Sequence, residues 1–424
     1  MSSLQRKKIG QYIELLTDYH SNGSYESLRN NVTLLTEKDY AVMVRTLNFE
    51  RNDFSDDLIY VDKKAYEHLA KSKVLPNDIL TNKIANPGSI YIMPDLHCPV
   101  TCGMNLFLIR FSKKVNQRYM YYCMKNSEAY IKSFAHGTTT KTITKDEVKN
   151  IDLLIHTDID EQNKIERLLT SIDRKIENTN RINDNLQQQL KLLYDYWFTQ
   201  FDFPDENGKP YKSSGGQMTH PNNAPYSVPE GWKVESVYKN SLTTTIKPGV
   251  TPFETKAYLA TAEVNGTTIS TGTDIAFATR ESRANMQPSK NSVWFAKMKN
   301  SIKHLYLNEH MKELIENAIL STGFCGLQCT EQSFEYIASF IEHSYFETIK
   351  DTLAHGATQE AVNNDDLAGI ALVIPSDRVL SEYHELTKGI YAKISQNICE
   401  NQALTRLRDW LLPMLMNGQA TIND

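Results

Sequence analysis

The sequence contains no window of about 18 uncharged apolar residues, the length a membrane-spanning helix requires. Its start, Met1 to Arg6-Lys7-Lys8, runs into Ile9-Gly10-Gln11-Tyr12 and not into the apolar core of a secretory signal. A cytoplasmic protein with no membrane partner is expected. Cysteine is scarce: six in 424 residues (Cys98, Cys102, Cys123, Cys325, Cys329, Cys399), irregularly spaced. That excludes a disulfide framework and fits reduced thiols in a reducing compartment. An excess of positive charge is also missing, with 46 Lys and Arg against 51 Asp and Glu and a formal charge of -5. Any nucleic-acid role must therefore come from local charge and shape. What is present is an ordinary globular balance, 40% apolar and 23% charged. At roughly 100–200 residues per domain the length allows two to four domains and excludes a single small module.

The chain repeats itself. Ala135-His136-Gly137-Thr138, Asp146-Glu147-Val148 and Ile151 to Ile155 return 219 positions later as Ala354-His355-Gly356-Ala357, Asp365-Asp366-Leu367 and Ile370 to Ile374. Upstream, Lys83 to Asn86 echoes Lys297 to Asn300 at an offset of 214, and Thr101-Cys102-Gly103-Met104 echoes Ser321-Thr322-Gly323-Phe324 at 220. A period this long indicates two related halves separated by loop insertions. Short apolar runs at 89–93, 106–111 and 370–374 read as strands, whereas 311–317 and 333–341 carry helical spacing.

Each half ends in a heptad seam. Ile172, Thr179, Leu186 and Leu193 stand seven apart and interleave with Ile176, Asn183, Leu190 and Trp197. Polar residues fill the intervening positions, and Pro204 with Gly208 stop the run after Phe203. From about Glu161 to Phe198 such a helix is about 57 Å long. The seam returns at an offset of 218 as Ile390, Ile394, Asn397, Asn401, Leu404, Arg408 and Leu411, ending near Pro413. Asn183 and Asn401 fall at equivalent positions, where a buried amide trades stability for register. The expected fold class is α+β: two related mixed α/β domains separated by two long antiparallel coiled-coil helices, in a pseudo-twofold internal repeat. The divisions are 1–158 for the first domain, 159–203 for the first helix, 204–225 for a turn-rich linker, 226–378 for the second domain and 379–424 for the second helix.

Glu161-Gln162 with Ile165, Leu169 to Ile176, Tyr194-Asp195-Tyr196-Trp197-Phe198 and Phe201-Asp202-Phe203-Pro204 resemble the central conserved region of specificity (S) subunits of type I restriction-modification enzymes. Arg408-Asp409-Trp410-Leu411-Leu412-Pro413 through Gln419 resembles their C-terminal region. The resemblance implies that each half carries a target recognition domain reading one part of a split, asymmetric site in double-stranded DNA. It also implies long helices that space the domains and dock modification (methyltransferase) subunits, two in number, to which restriction (motor-nuclease) subunits add. Two diverged readers on a rigid spacer suit two unlike short blocks about one helical turn, roughly 34 Å, apart.

Phosphate binding needs local positive charge, and base reading needs directional donors and acceptors. Between Arg110 and Lys149 nine cations, among them Lys113, Lys114, Arg118 and Lys141, face three acids, with Tyr119, Tyr121 and Tyr122 interleaved. The alternative is a solvated basic face. The loop His136, Gly137, Thr138, Thr139, Lys141 combines a flexible backbone, hydroxyls and a cation. Its counterpart is His355, Gly356, Thr358, Gln359, in which Gln359 suits adenine. Either loop also reads as a plain capping turn. Lys83 with Asn86, Lys297 with Asn300, Thr101, and Ser321 with Thr322 are further candidates. The second domain shows no comparable basic stretch, since acids from Glu331 to Asp366 crowd its later part.

Catalytic motifs do not assemble. Asn223-Ala224-Pro225-Tyr226 lacks the first proline of the adenine-methyltransferase Asn-Pro-Pro-Tyr motif and a glycine-rich cofactor turn before it. Pro94-Asp95 and Glu147-Val148-Lys149 lie too far apart in sequence for a nuclease motif, and the second copy lacks the lysine. Cys98 with Cys102 and Cys325 with Cys329 are not equivalent in the repeat and have an unusual gap for zinc, and Gly208-Lys209-Pro210 is no phosphate loop. No metal and no cofactor is expected in this chain. The resemblance implies that methyl donor, ATP and Mg are held by the partner subunits. The reading is a non-catalytic specificity subunit, and the alternative is a coiled-coil scaffold with two protein-binding domains and no DNA role.

Overall fold

The computed structural model describes residues 4–221, 226–266, 268–357 and 359–422. The chain divides into two compact units, Met1–Asp173 with Leu407–Asp424, and Arg174–Arg406. In the first unit ten strands form three sheets: β1 (Leu4–Lys8), β2 (Ile13–Asp18), β3 (Ala41–Val44), β4 (Ile59–Val61), β5 (Lys73–Val74), β6 (Ile79–Asn82), β7 (Ile90–Ile92), β8 (Val100–Cys102), β9 (Leu106–Phe111) and β10 (Asp152–His156). β1 pairs with β10, the second sheet runs β2-β9-β6-β7, and the third runs β4-β3-β8-β5 with β3 parallel to β8.

The apolar run of β9 has no polar alternation because both of its faces are covered. Leu106 and Leu108 join Val42, Val44 and Val100 on one side, while Phe107, Ile109 and Phe111 join Tyr119 and Met120 on the other. Tyr119 and Met120 lie on helix Gln117–Asn126, whose cap Asn116 accepts a hydrogen bond from the Tyr119 amide at 2.9 Å. The buried face of this helix meets Ile165 and Leu169 of the central helix and Leu415 and Met416 of the C-terminal helix.

The second unit repeats that pairing strand for strand. Lys233–Ser236 pairs with Ala371–Ile374. One sheet runs Thr243–Thr245, Phe324–Cys329, Ser292–Ala296, His304–Leu307, and the other runs Thr273–Ile275, Lys256–Leu259, Ala318–Ser321, Ala284–Met286. The parallel strand pair Lys256–Leu259 with Ala318–Ser321 recurs at the position of β3 and β8. Trp294 and Ala296 turn into one core cluster and Val293 and Phe295 into the other. Gly326 is required there, because a Cβ would meet the Trp294 ring at 2.5 Å. The helical spacing at 311–317 and 333–341 appears as Lys312–Asn317 and Phe334–Glu342.

The central helix runs Ile159–Tyr194, and a wider turn, Asp195–Thr199, replaces its expected last turn, with the Gln200 amide bonded to the Asp195 carbonyl at 2.8 Å. Widening lets both Trp197 and Phe198 face inward onto Tyr383 and Tyr336. The C-terminal helix, Asp377–Met416, passes Pro413 and continues three residues beyond it. Gly418, at φ +68°, follows its end. Within the second unit the helices pair antiparallel: Asn397 donates to Asn183 and Asn401 to Asn180, both at 2.7 Å, and Lys175 meets Glu400 at 3.2 Å. In the first unit Arg408 bonds Asp173 at 3.0 Å. Among the seam residues, Ile172, Asn183, Leu190, Trp197 and Ile394 are buried, and Ile176, Leu186, Leu193, Ile390, Asn401, Leu404 and Leu411 are half-buried. Residues 201–216 pack as folded turns, with the Phe203 ring stacked on Trp232 at 4.9 Å and on Tyr211 at 4.8 Å. No helix of the described residues is long and apolar enough to cross a membrane.

Candidate nucleic-acid interface

In the first domain four chain segments meet at the ends of β3, β6 and β8. The Gly103 amide bonds the Val44 carbonyl at 2.9 Å, drawing the β8–β9 turn to the end of β3. Thr46 donates to the Asn82 side chain at 2.8 Å. The Lys83 amide bonds the Asn105 carbonyl at 2.9 Å, and the Ile143 amide bonds the Lys83 carbonyl at 3.0 Å, which brings in the loop 136–142. Behind this edge Asp18 accepts from Lys83 at 2.7 Å and from Lys145 at 2.8 Å. Burial alone would raise the Asp18 carboxyl, but hydrogen bonds from Lys145, Lys83 and Ser21 outweigh it and hold it well below the usual carboxylate range.

The second domain builds the same edge. The Lys297 amide bonds the Gly323 carbonyl at 2.9 Å, the Val362 amide bonds the Lys297 carbonyl at 3.0 Å, and the Thr322 amide bonds the Arg283 carbonyl at 2.8 Å. These bonds make Asn105 and Gly323 structural equivalents, an offset of 218. The alignment of Gly103 with Gly323 is therefore shifted by two residues: turn 103–105 corresponds to 321–323.

The recurring His-Gly pair belongs to the frame. Gly137 has φ +118° and Gly356 φ +142°, and a Cβ on either would stand 2.4 Å from the carbonyl oxygen of Thr140 or Gln359. His136 and Thr142 exchange backbone bonds across the loop, as do His355 and Ala361. Each histidine then reaches the acid eleven residues on: His136 meets Glu147 at 3.0 Å, and His355 meets Asp366 at 3.4 Å. Burial would raise the Glu147 carboxyl, but hydrogen bonds from the Thr144 amide and hydroxyl, together with His136, outweigh it and hold the carboxyl low.

The other expected contacts separate into three groups. Thr138, Thr139, Lys141 and Asn86 are exposed at the first edge, and Gln359 and Asn300 are exposed at the second with half-buried Lys297 and Thr322 beside them. Thr358 lies outside the described residues, as do Asn223, Ala224 and Pro225. Thr101 and Ser321 are corrected to interior residues: both are buried, Thr101 donates to the Ser72 carbonyl at 3.2 Å, and Ser321 accepts from the Gly323 amide at 3.1 Å. Lys83 is likewise corrected to a framing cation, since it is buried on Asp18.

Lys113, Lys114 and Arg118 follow the other end of β9, away from this edge, and Arg118 bonds Asn77 at 2.7 Å and Thr170 at 3.2 Å. Several cations of the basic run are paired with acids. Arg110 pairs with Asp78, Lys125 and Lys132 pair with Glu128, and Lys145 pairs with Asp18. The interleaved tyrosines serve the core, Tyr119 accepting from the His156 amide at 2.9 Å and Tyr122 donating to Asp173 at 2.5 Å.

Edge residues with no sequence signal of their own are Thr46, Met104 and Asn105, and in the second domain Thr261 and Arg283. Met104, Asn105 and Arg283 are exposed. The positive charge of the second domain was also overlooked. It is spread over residues 233–303, where ten Lys and Arg face five Asp and Glu. Only the register, carried from strand to strand, reveals which of these residues share an edge.

Residues 31–188 match the type I restriction modification DNA specificity domain. The chain is 22% identical over 418 residues to the type I restriction enzyme MjaIX specificity subunit of Methanocaldococcus jannaschii, covering 93% of this chain and 88% of that one. It is 23% identical over 406 residues to the type I restriction enzyme HindI specificity subunit of Haemophilus influenzae, covering 82% and 88%. The crystal structure of a type I restriction-modification S subunit from M. genitalium matches with a TM-score of 0.54 at 12% identity, covering 98% of this chain and 96% of that one. At that identity the likeness is one of fold.

Proposed function

We propose that this chain, whose residues 31–188 match the type I restriction modification DNA specificity domain and which is similar over most of its length to specificity subunits of type I restriction enzymes, reads a bipartite, asymmetric duplex site. The observation that supports this most directly is the duplicated edge: one strand frame, built twice, with different side chains at its tips. A frame that is repeated while its exposed tips differ suits two readers of two unlike sequences. In this reading the two long helices dock the modification subunits, two per chain, and restriction subunits join that assembly. Methyl donor, ATP and Mg are held by those partners, and this chain supplies aim without chemistry.

The test is selection from a randomised duplex library, using the chain assembled with the modification subunit encoded beside it, at moderate salt. Two unlike blocks at a fixed gap are expected, and exchanging residues 1–158 for those of a relative should change one block only. No enrichment from a well-folded assembly refutes the proposal and favours the protein-binding scaffold.

A further inference from the structure

We propose that Arg283 is a base-reading residue of the second domain and that its partner is guanine in the major groove; this rests on the DNA-recognition reading above. Arg283 is exposed, and among the described residues its guanidinium makes no hydrogen bond or ion pair. Other arginines, Arg280 nearby and Arg45 in the other domain, are engaged. Arg280 lies 4.0 Å over the Phe277 ring and donates to the Phe277 carbonyl, and Arg45 of the first domain is paired with Asp57.

The backbone of Arg283 is nevertheless fixed, its carbonyl accepting from the amides of Thr322 at 2.8 Å and Asn285 at 3.0 Å. Its side chain lies across the edge where the loops meet. A Cβ on Gly323 would stand 3.5 Å from Arg283 Nη2, 3.2 Å from the Thr261 methyl and 3.3 Å from Ser321 Oγ. The guanidinium thus lies beside Gly323, whereas the equivalent position in the first domain holds Asn105.

A free guanidinium on a fixed backbone is suited to directional recognition. Its planar fork matches the N7 and O6 acceptors that guanine presents in the major groove, a pairing no other base offers. Lys297 occurs in the adjoining loop, where a point charge suits phosphate, while Lys299 beside it is paired with Glu360 at 2.8 Å. The first domain presents at the corresponding place a carboxamide, a group with one donor and one acceptor side, so the two edges call for different bases.

The experiment compares wild type, R283A and R283K, each assembled with the modification subunit, by duplex-library selection and by binding to the selected site over a range of salt. Wild type is expected to select a guanine at one position of the block that is lost when residues 226–378 are exchanged. R283A should lose preference at that position alone and bind the selected site about 10- to 100-fold more weakly. R283K should fail to restore it, because a point charge lacks the fork. If R283A keeps every base preference, or weakens all sequences equally with a shallower salt dependence, Arg283 is a bystander or a phosphate contact and the inference is overturned. If wild type itself selects nothing, the recognition reading falls and this inference with it, a result distinct from the previous two. Melting temperatures of the variants should match wild type, since the side chain makes no internal bond.

Discussion

Replacing Asp18 by Asn tests whether the first edge is held by buried charge. Asp18 and Lys83 are 9% and 10% exposed at the side chain, and Lys145 completes the cluster at 2.8 Å. Removing one partner of a buried pair costs about 3–5 kcal/mol, because the other charge is left uncompensated. Asn keeps the size and one acceptor, so D18N should lose about 3 kcal/mol. For a unit of this size that is a fall of roughly 6–12 °C in melting temperature. Hydrogen exchange of the peptide spanning Asn82, Lys83 and Ile84 should rise in parallel. Since D18N/K83M withdraws both buried charges and leaves only Lys145, which is 34% exposed and can turn to solvent, it should regain part of the loss. The carboxyl is held below its unfolded value by its donors, so its contribution is present above about pH 4 and drains away as the pH falls. D18N should therefore flatten the acid limb of the stability curve. A loss under about 1 kcal/mol, or a double variant no better than the single one, would refute the argument.

Three further outcomes follow from other parts of the molecule. In the second unit, buried His304 lies 3.0 Å from Glu342 and 2.9 Å from Glu347; burial lowers its pKa, but the two carboxylates outweigh it and push it up to about 9. Its folded value thus lies above the ordinary 6.5, so its stabilisation is present below that pH and is lost as pH rises through about 9. Denaturant midpoints at the two ends of that window should differ for wild type and coincide more closely for H304Q. On the helical seam, N183L leaves the Asn397 amide without its partner and should cost about 1–3 kcal/mol, while N183L/N397L should be at least as stable as wild type in a thermal melt, because both amides go together. Gly389 sits inside the C-terminal helix with open space around its Cβ position, so G389A should add about 0.5–1 kcal/mol, whereas G356A should destabilise by more than that because its Cβ meets the Gln359 carbonyl at φ +142°. Paired melts of the two variants check the sign of each.

The architecture was legible because it is written in periodicity. The heptad positions from Ile172 to Trp197 and from Ile390 to Leu411 are the ones that the structure buries or half-buries, and the strands at Leu106–Phe111 and Ala371–Ile374 are continuous apolar runs with both faces covered. The site was only half legible. Charge along the chain pointed to the region from Arg110 to Lys149, but charge has no periodicity that reports its partner: Asp78 and Asp18 engage Arg110 and Lys145 from other elements, and Glu128 holds both Lys125 and Lys132. The alignment of Thr101 with Ser321 erred because short glycine turns resemble one another in any register, whereas the bond from Lys83 to Asn105 and its copy from Lys297 to Gly323 admit only one. Arg283 stood in no recurring motif at all, and only the fold brings it beside Gly323.

Why the repeated residues are not the ones that read follows from what each must satisfy. His136 and His355, Gly137 and Gly356, and the backbone of Lys83 and Lys297 are constrained by the protein itself, through an acid, a positive φ and a strand-end hydrogen bond. Any change there alters the loop, so both copies keep them. Asn105 against Gly323, Met104 against Thr322, and Thr138-Thr139 against Ala357 bond to the frame, where they bond to it at all, through their backbone, so their side chains are not what holds it. Those positions can diverge without cost to the fold, and a duplex is the only thing that constrains them in the proposed role. It follows that specificity should be portable in a few residues. Grafting the tips of one edge onto the frame of the other, with His, Gly and the strand ends left in place, should carry the base preference with it while leaving the melting temperature close to that of the recipient. If whole-domain exchange transfers specificity but the tips alone do not, then the reading surface lies elsewhere on the domain, and the division between frame and tip drawn from the hydrogen bonds is wrong.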